Sequence, residues 1–410
     1  MIDHADITAT LLWAEGGVTA PKGFMAAGVS AGIKKSGRRD VALIAAEEPV
    51  PAAAVFTTNA VVAAPVIVSR AHVAGGKVRA AIVNAGNANA CTGAPGLADA
   101  RLMSVTAAES LGCLPEEIVV ASTGVIGVAM PMDLVLPGIA AAAGALDSSP
   151  ADAAAEAIMT TDTFPKQTAV TVEAAGREYT VGGMAKGSGM IQPNMATMLA
   201  FLTTDAPLTP EACDAALRAA VKSTFNRITV DSDTSTNDMC LLMASGAAGG
   251  GEIGPEHPSF PDVQRAVHHV CGELARMIVR DGEGATKLVE VTVRGADSED
   301  DAELAALSIA NSPLFKTALF GGDANWGRVA MAVGKSGAHV DPDRLEIVFA
   351  GIPACVNGTG LAFDEEAAAA ALAAREIEVG VDLHLGAGDA TVWTCDLSYE
   401  YVRINGEYRS

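Results

Sequence analysis

The residues with the most chemistry to offer lie in one stretch: Gly182-Gly183-Met184-Ala185-Lys186-Gly187-Ser188-Gly189-Met190-Ile191-Gln192-Pro193-Asn194-Met195-Ala196-Thr197-Met198-Leu199-Ala200-Phe201-Leu202. A glycine-rich loop with a single lysine, Lys186, runs into Pro193 and then into a β-type run that starts at Thr197. A threonine hydroxyl is a weak nucleophile and needs a base, and no histidine is near Thr197 in the sequence. Cleavage of the Ala196–Thr197 bond would supply one. A free α-amine titrates at about 7.7–8.0, against about 10.4 for a lysine side chain, so near neutral pH it can take the proton from its own residue's hydroxyl. A carbonyl attacked by that hydroxyl develops negative charge, and losing one fixed donor that meets it typically costs ~100–1000-fold in rate. Thr123-Gly124, at the end of the run Ile118–Ala121, is the best candidate pair for such an oxyanion hole. Taken by themselves, the same residues also read as a flexible loop, a buried strand and a turn.

The elements around them alternate between β-type runs and helical patterns, which makes the fold class α/β. Val78–Val83 and Ile118–Ala121 read as buried strands, each delivering the chain into a Gly- or Asn-rich turn. Ser149-Pro150-Ala151-Asp152 and Thr209-Pro210-Glu211 each read as an N-cap followed by a proline and an acid in the first turn. From Pro261 to about Arg280, apolar residues at 263, 266, 267, 270, 274, 277 and 278 form the stripe of an amphipathic helix that stops at Asp281-Gly282. A new strand series starts with Leu288–Val293, and helical patterns follow at about 299–311 and 364–376. Two strands near 381–386 and 390–396, joined around Gly386–Asp389, have the pattern of a hairpin. The boundary between a larger module (1–286) and a smaller one (287–410) is placed near 286.

Composition narrows the function classes. A chain of 410 residues is long enough for two or three domains with large cores. Its formal charge of −22 repels phosphate backbones and argues against a nucleic-acid partner. Seven cysteines, an odd number without a C-x-x-C pair, argue against a zinc site or a disulfide framework and suit a reducing cytosol. The first residues are acidic where a signal peptide would be basic. The apolar stretch Leu134–Leu146 contains Pro137 and Gly138 and is too short for a bilayer. The expectation is a cytoplasmic protein with no membrane partner.

Three motif look-alikes fail on their own chemistry. Gly249-Gly250-Gly251-Glu252-Ile253-Gly254 matches G-x-G-x-x-G, but Pro255 breaks the chain where a dinucleotide site needs a helix. Gly334-Lys335-Ser336 lacks the earlier glycine of a phosphate loop, where Val329 stands. Asp231-Ser232-Asp233 opens like a calcium loop, but Thr236 and Leu242 occupy the positions that need Gly and Glu. The scattered histidines, including His268-His269, suggest no metal site.

The Gly182–Leu202 stretch resembles the processing site of the ornithine acetyltransferase family, the arginine-pathway glutamate N-acetyltransferases. Further blocks match that family in order: Asn84–Gly93, Ser122–Gly127, Met159–Thr163, Val230–Asp238, Asp281–Lys287, Asn325–Arg328 and Tyr401–Asn405. Ala85 and Ala324 depart from it, at positions where the family often has serine and proline. The resemblance implies layered modules with β-sheets packed between helices, similar to N-terminal-nucleophile aminopeptidases. It implies a precursor that cuts itself between Ala196 and Thr197 into an alpha chain (1–196) and a beta chain (197–410), assembled as a heterotetramer of two alpha and two beta chains. It makes Thr197 the nucleophile and assigns the oxyanion hole to Thr123 and Gly124. Thr160, Lys186, Thr197, Glu283, Asn405 and Ser410 become the substrate-binding residues. Lys186 suits a carboxylate and Glu283 an ammonium.

The implied reaction is ping-pong transfer of acetyl from N-acetylornithine to glutamate, with no bound cofactor. Some members of the family also accept acetyl-CoA, and no residue in this sequence decides that point. The competing readings are an N-terminal-nucleophile amidohydrolase or aminopeptidase, in which water replaces glutamate, and a non-catalytic amino-acid-binding protein, which would stay uncut.

Overall fold

Nine strands of the first part of the chain join in one sheet: β1 (Leu11–Ala14), β2 (Phe24–Val29), β3 (Val41–Phe56), β4 (Lys77–Asn87), β5 (Ile118–Val125), β6 (Lys166–Ala174), β7 (Arg177–Lys186), β8 (Leu199–Thr204) and β9 (Met239–Ala244). This is a computed structural model, and it describes residues 11–192 and 198–407. The strand order is β1-β6-β7-β8-β9-β3-β4-β5, with β2 also paired to β3. β3 links two halves. Its first part pairs with β2 and β4, the register shifts between Ala45 and Val50, and its last residues pair with β9. The β4–β5 and β8–β9 pairs are parallel.

Alternation along the strands sends successive side chains to opposite faces. Leu43, Ala45, Ile82 and Val120 pack against helices α1 (Ala64–Val73), α2 (Gly93–Leu111) and α3 (Met132–Gly144). Ala42, Ile44, Ala81 and Val119 face the other way and share a core with Met184, Phe201, Leu241 and Met243 of the second half. The two halves therefore stack face to face. α4 (Ala153–Ile158) closes part of that core. On the outer side of the second half, Val270 and Leu274 of α6 (Phe260–Arg280) lie against β7, where a Cβ on Gly183 would sit 2.9 and 3.0 Å from them. The unit is mixed α/β, with sheets packed between helices.

Thr209 caps α5 (Pro210–Ser223), accepting a bond from Ala212 N at 3.2 Å. Ser149 does not cap a helix: α4 starts at Ala153 with no side-chain cap, and Ser149 Oγ accepts from Gly28 N instead. In α6, Val279 is buried and Met277 is only partly so.

The chain divides into two units. The second is discontinuous, taking Ser188–Gln192, Arg227–Asp233 and the described residues from Arg276 onward. The change of unit thus falls inside α6, between Ala275 and Arg276, whereas sequence patterning placed a boundary near 286. The second unit's sheet has six strands: β10 (Leu288–Ala296), β11 (Glu346–Phe349), β12 (Ile352–Val356), β13 (Thr359–Gly360), β14 (Glu376–Asp382) and β15 (Gly388–Cys395). Val289, Val291, Ile347 and Val379 build its core with α7 (Glu299–Ala310), α8 (Pro313–Phe320), α9 (Trp326–Gly334) and α10 (Glu365–Ala371).

Two expectations about this unit are corrected. The helical pattern 364–376 ends at Ala371, and Glu376 already starts β14. β14 and β15 do not form a hairpin, because β10 lies between them, parallel to β14 and antiparallel to β15. The connecting loop crosses the end of β10, where Leu383 N donates to Arg294 O and Gly386 N to Gly295 O. A short link between two β-type runs looks the same in sequence whether or not a third strand inserts between them.

Candidate functional site

In the first unit, the C-terminal ends of β5 and β7 carry residues of interest. β5 brings in Thr123 and Gly124, both half-buried, and β7 ends on Lys186. Gly124 has φ +131°, and a Cβ there would lie 2.3 Å from the carbonyl carbon of Gly86 on β4. Only glycine fits this approach of β5 to β4. Lys186 Nζ reaches Thr123 Oγ1 at 3.4 Å. β8, which begins two residues after Thr197, pairs Leu199 with Lys186.

A buried carboxylate organises this corner. Asp162 Oδ1 accepts from Lys166 Nζ at 2.7 Å and from Gly187 N at 2.7 Å, and Oδ2 accepts from Thr160 N at 2.9 Å. Lys186 Nζ stands 3.9 Å from Oδ2. Burial alone would raise the Asp162 carboxyl, but the ammonium groups of Lys186 and Lys166 and the bonds it accepts hold it well below the usual carboxylate range. Lys34 is the third cation of the corner. Its Nζ donates to Arg39 O at 2.6 Å and Ala157 O at 3.0 Å. Burial brings its ammonium down to about 8, with Asp40 opposing the shift.

Asp238, just before β9, behaves oppositely. Burial pushes its carboxyl well above the ordinary value, although Ser235, Lys186 and Thr57 pull the other way. Its Oδ2 is buried with no hydrogen-bond partner. Burial thus disfavours the charged form of Asp238, whereas Asp162 is held as the carboxylate beside Lys186.

The second unit assembles its own pair. Asn405, on α11 (Tyr399–Gly406), donates from Nδ2 to Glu283 Oε2 at 2.7 Å. Glu283 N donates to Ser188 O, and a Cβ on Gly189 would lie 2.4 Å from the Glu283 carboxyl carbon. Asp231, first residue of the calcium-loop look-alike, accepts from Met190 N and Ile191 N at 2.6 and 2.8 Å, and so caps this glycine-rich turn. Among the described residues, no group of three or more His, Cys, Asp or Glu side chains could hold a metal ion. Likewise, no described helix is long and apolar enough to cross a membrane.

Of the sequence-predicted residues, Thr123, Gly124, Thr160 and Lys186 come together in the first unit, and Glu283 and Asn405 meet in the second. Ala196, Thr197 and Ser410 lie outside the described residues. Sequence reasoning missed Asp162, Lys166, Lys34 and Asp238. Asp162 and Asp238 stand inside matched blocks, but nothing in a linear pattern tells a buried counter-ion from a turn residue.

Comparison with known proteins gives the lineage. The model of the ArgJ family matches residues 25–410. The "Arginine biosynthesis bifunctional protein ArgJ" of Symbiobacterium thermophilum is 53% identical over 400 residues, covering 97% of this chain and 100% of that protein. The protein of the same name in Geobacter sulfurreducens is 51% identical, covering 95% of this chain and 99% of its own. A crystal structure of an ornithine acetyltransferase from Mycobacterium tuberculosis, complexed with ornithine, is 46% identical with a TM-score of 0.42, covering 46% of this chain and 100% of that one. A match of this identity and extent leaves one assignment: the chain belongs to the ArgJ family.

Proposed function

We propose that the protein is an acyltransferase of arginine biosynthesis that moves acetyl from N-acetylornithine to glutamate. One observation supports it most: Thr123-Gly124 and Lys186 at strand ends, and Thr160 in the loop before β6, come together through Lys186 and Asp162 near β8, the strand that follows Thr197. Cleavage between Ala196 and Thr197 frees the α-amine that serves as base. Thr197 Oγ then attacks the acetyl carbonyl while the amine takes the hydroxyl proton. The Thr123-Gly124 donors meet the oxyanion. Collapse of the intermediate expels ornithine, whose nitrogen receives that proton. The amine of glutamate attacks the acetyl-threonine ester and reverses the sequence.

Both substrates carry an α-carboxylate, which suits the Lys186 ammonium. Glu283, with Asn405 on one oxygen, suits the ornithine ammonium, and Thr160 and Ser410 complete the binding set. A thioester acetyl donor such as acetyl-CoA would enter by the same first half-reaction, with no resident cofactor. The mature protein is a cytoplasmic heterotetramer of two alpha and two beta chains.

The test is mass spectrometry of purified protein with N-acetylornithine alone. Two fragments, 1–196 and 197–410, are expected, with about 42 Da gained on the second as the covalent acetyl intermediate and lost on adding glutamate. Active protein running as one chain near 41.5 kDa would overturn the reading. Equal acetate release with and without glutamate would identify a hydrolase instead.

A further inference from the structure

We infer that Asp162 is the positioning residue of the acyl-transfer site: one buried carboxylate ties the Thr160 loop to the end of β7 and sets where the Lys186 ammonium meets the substrate carboxylate. The inference rests on the acetyl-transfer reading above and adds a residue to it.

Four groups surround the two oxygens, and they come from two stretches of the chain, 160–166 and 186–187. Lys166 Nζ and Gly187 N bind Oδ1, Thr160 N binds Oδ2, and Lys186 Nζ stands 3.9 Å from Oδ2. Gly187 follows Lys186 directly, so its bond anchors the backbone from which the Lys186 side chain springs. The Asp162 and Lys166 side chains are fully buried. Their close contact gives the carboxylate a partner independent of Lys186. At 3.9 Å, Lys186 is attracted to Asp162 without being bound by it. This separates two duties: Lys166 compensates the buried charge, and Lys186 faces Thr123 Oγ1 at 3.4 Å.

The corner therefore holds the ammonium groups of Lys166 and Lys186 around the Asp162 carboxylate, with Lys34 close by under the influence of Asp40. Buried charges of one sign need compensation. An incoming substrate carboxylate would meet the Lys186 ammonium at this corner. Asp162 must remain in place for that to work. Without it, Lys186 would lose its anchor at Gly187, and the Thr160 N–H would lose its acceptor.

The test uses the full chain with Asp162→Asn, and with Asp162→Asn combined with Lys166→Met. The double variant removes the lysine charge that the single variant would strand. Asp162→Asn should unfold at a lower temperature, and its KM for N-acetylornithine and for glutamate should rise together by about tenfold or more, the worth of a charge-assisted contact. The double variant should regain thermal stability and keep the raised KM values. A double variant that regains both would show that Asp162 only neutralises Lys166, and would overturn the inference. A double variant that fails to fold would overturn it too, because Asp162 would then be a folding element. Loss of kcat at unchanged KM would equally refute a role through Lys186. Wild-type protein without transferase activity would sink the function reading instead, so the two failures are separable.

Discussion

Replacing Gly124 with alanine tests the oxyanion assignment most directly. The new Cβ would sit 2.3 Å from Gly86 C, 2.6 Å from Asn87 N and 2.7 Å from Gly86 Cα. These are backbone atoms of β4, so no side chain can swing away. β5 must retreat by roughly 0.7 Å before the nearest contact becomes tolerable. The φ of +131° adds a backbone penalty of about 1–3 kcal/mol for a residue with a Cβ. A misplacement of about 1 Å at a reacting centre costs on the order of 100-fold in rate, so kcat for acetyl transfer should fall by about that factor. Substrate binding should change little, because oxyanion donors act mainly in the transition state. Gly127→Ala supplies the control. Gly127 also has positive φ, +78°, but a Cβ there meets nothing within 4 Å. It should lower stability slightly and keep most of the activity. Steady-state kinetics beside thermal unfolding would separate the cases. Gly124→Ala turning over as fast as the parent, or losing no more than Gly127→Ala, would refute the assignment.

Lys186→Ala should raise the KM of both N-acetylornithine and glutamate, since one cation serves the carboxylate they share; an effect on one substrate alone would place Lys186 elsewhere. Asn405→Asp sets a second carboxylate against Glu283, where the amide now donates at 2.7 Å, and should lower ornithine release measured at low N-acetylornithine. An unchanged rate would mean the pair lies away from the donor. Lys34 gives a pH signature. Burial lowers its folded-state value to about 8 from 10.5, so between those values the unfolded chain binds the extra proton and stability should rise with pH. Below about 8 both states are protonated, and the burial penalty is fully present. The unfolding temperature of wild type relative to Lys34→Met should therefore improve from pH 8 to 10, and parallel curves would contradict the burial.

The legible parts of the chain were those whose information is local. Thr209 and Pro210 announce α5 because an N-cap needs only its own turn. The stripe of α6 is visible because a 3.6-residue period survives whatever packs against it. The β14–β15 link shows the limit: a strand from 288–296 inserts between them, and no feature of the 381–396 segment encodes that visitor. Ser149 failed for a related reason, since its hydroxyl satisfies Gly28, 121 positions away.

The same divide runs through the site. Gly124 and Lys186 are visible in sequence as a glycine after a β-type run and a single lysine among glycines, although both lie in strands, β5 and β7, rather than in a turn and a loop. Their chemical state is set by residues that look ordinary. Asp162 and Asp238 are both buried aspartates, yet the carboxyl of one is lowered by two lysines and that of the other is raised by burial. A linear pattern supplies the identity of each carboxyl, but its charge depends on which ammonium the fold brings within a few ångströms. The corner around Lys186 is thus specified twice. The strand ends set the positions of Thr123, Gly124 and Lys186, and the buried Asp162 sets the electrostatics between them.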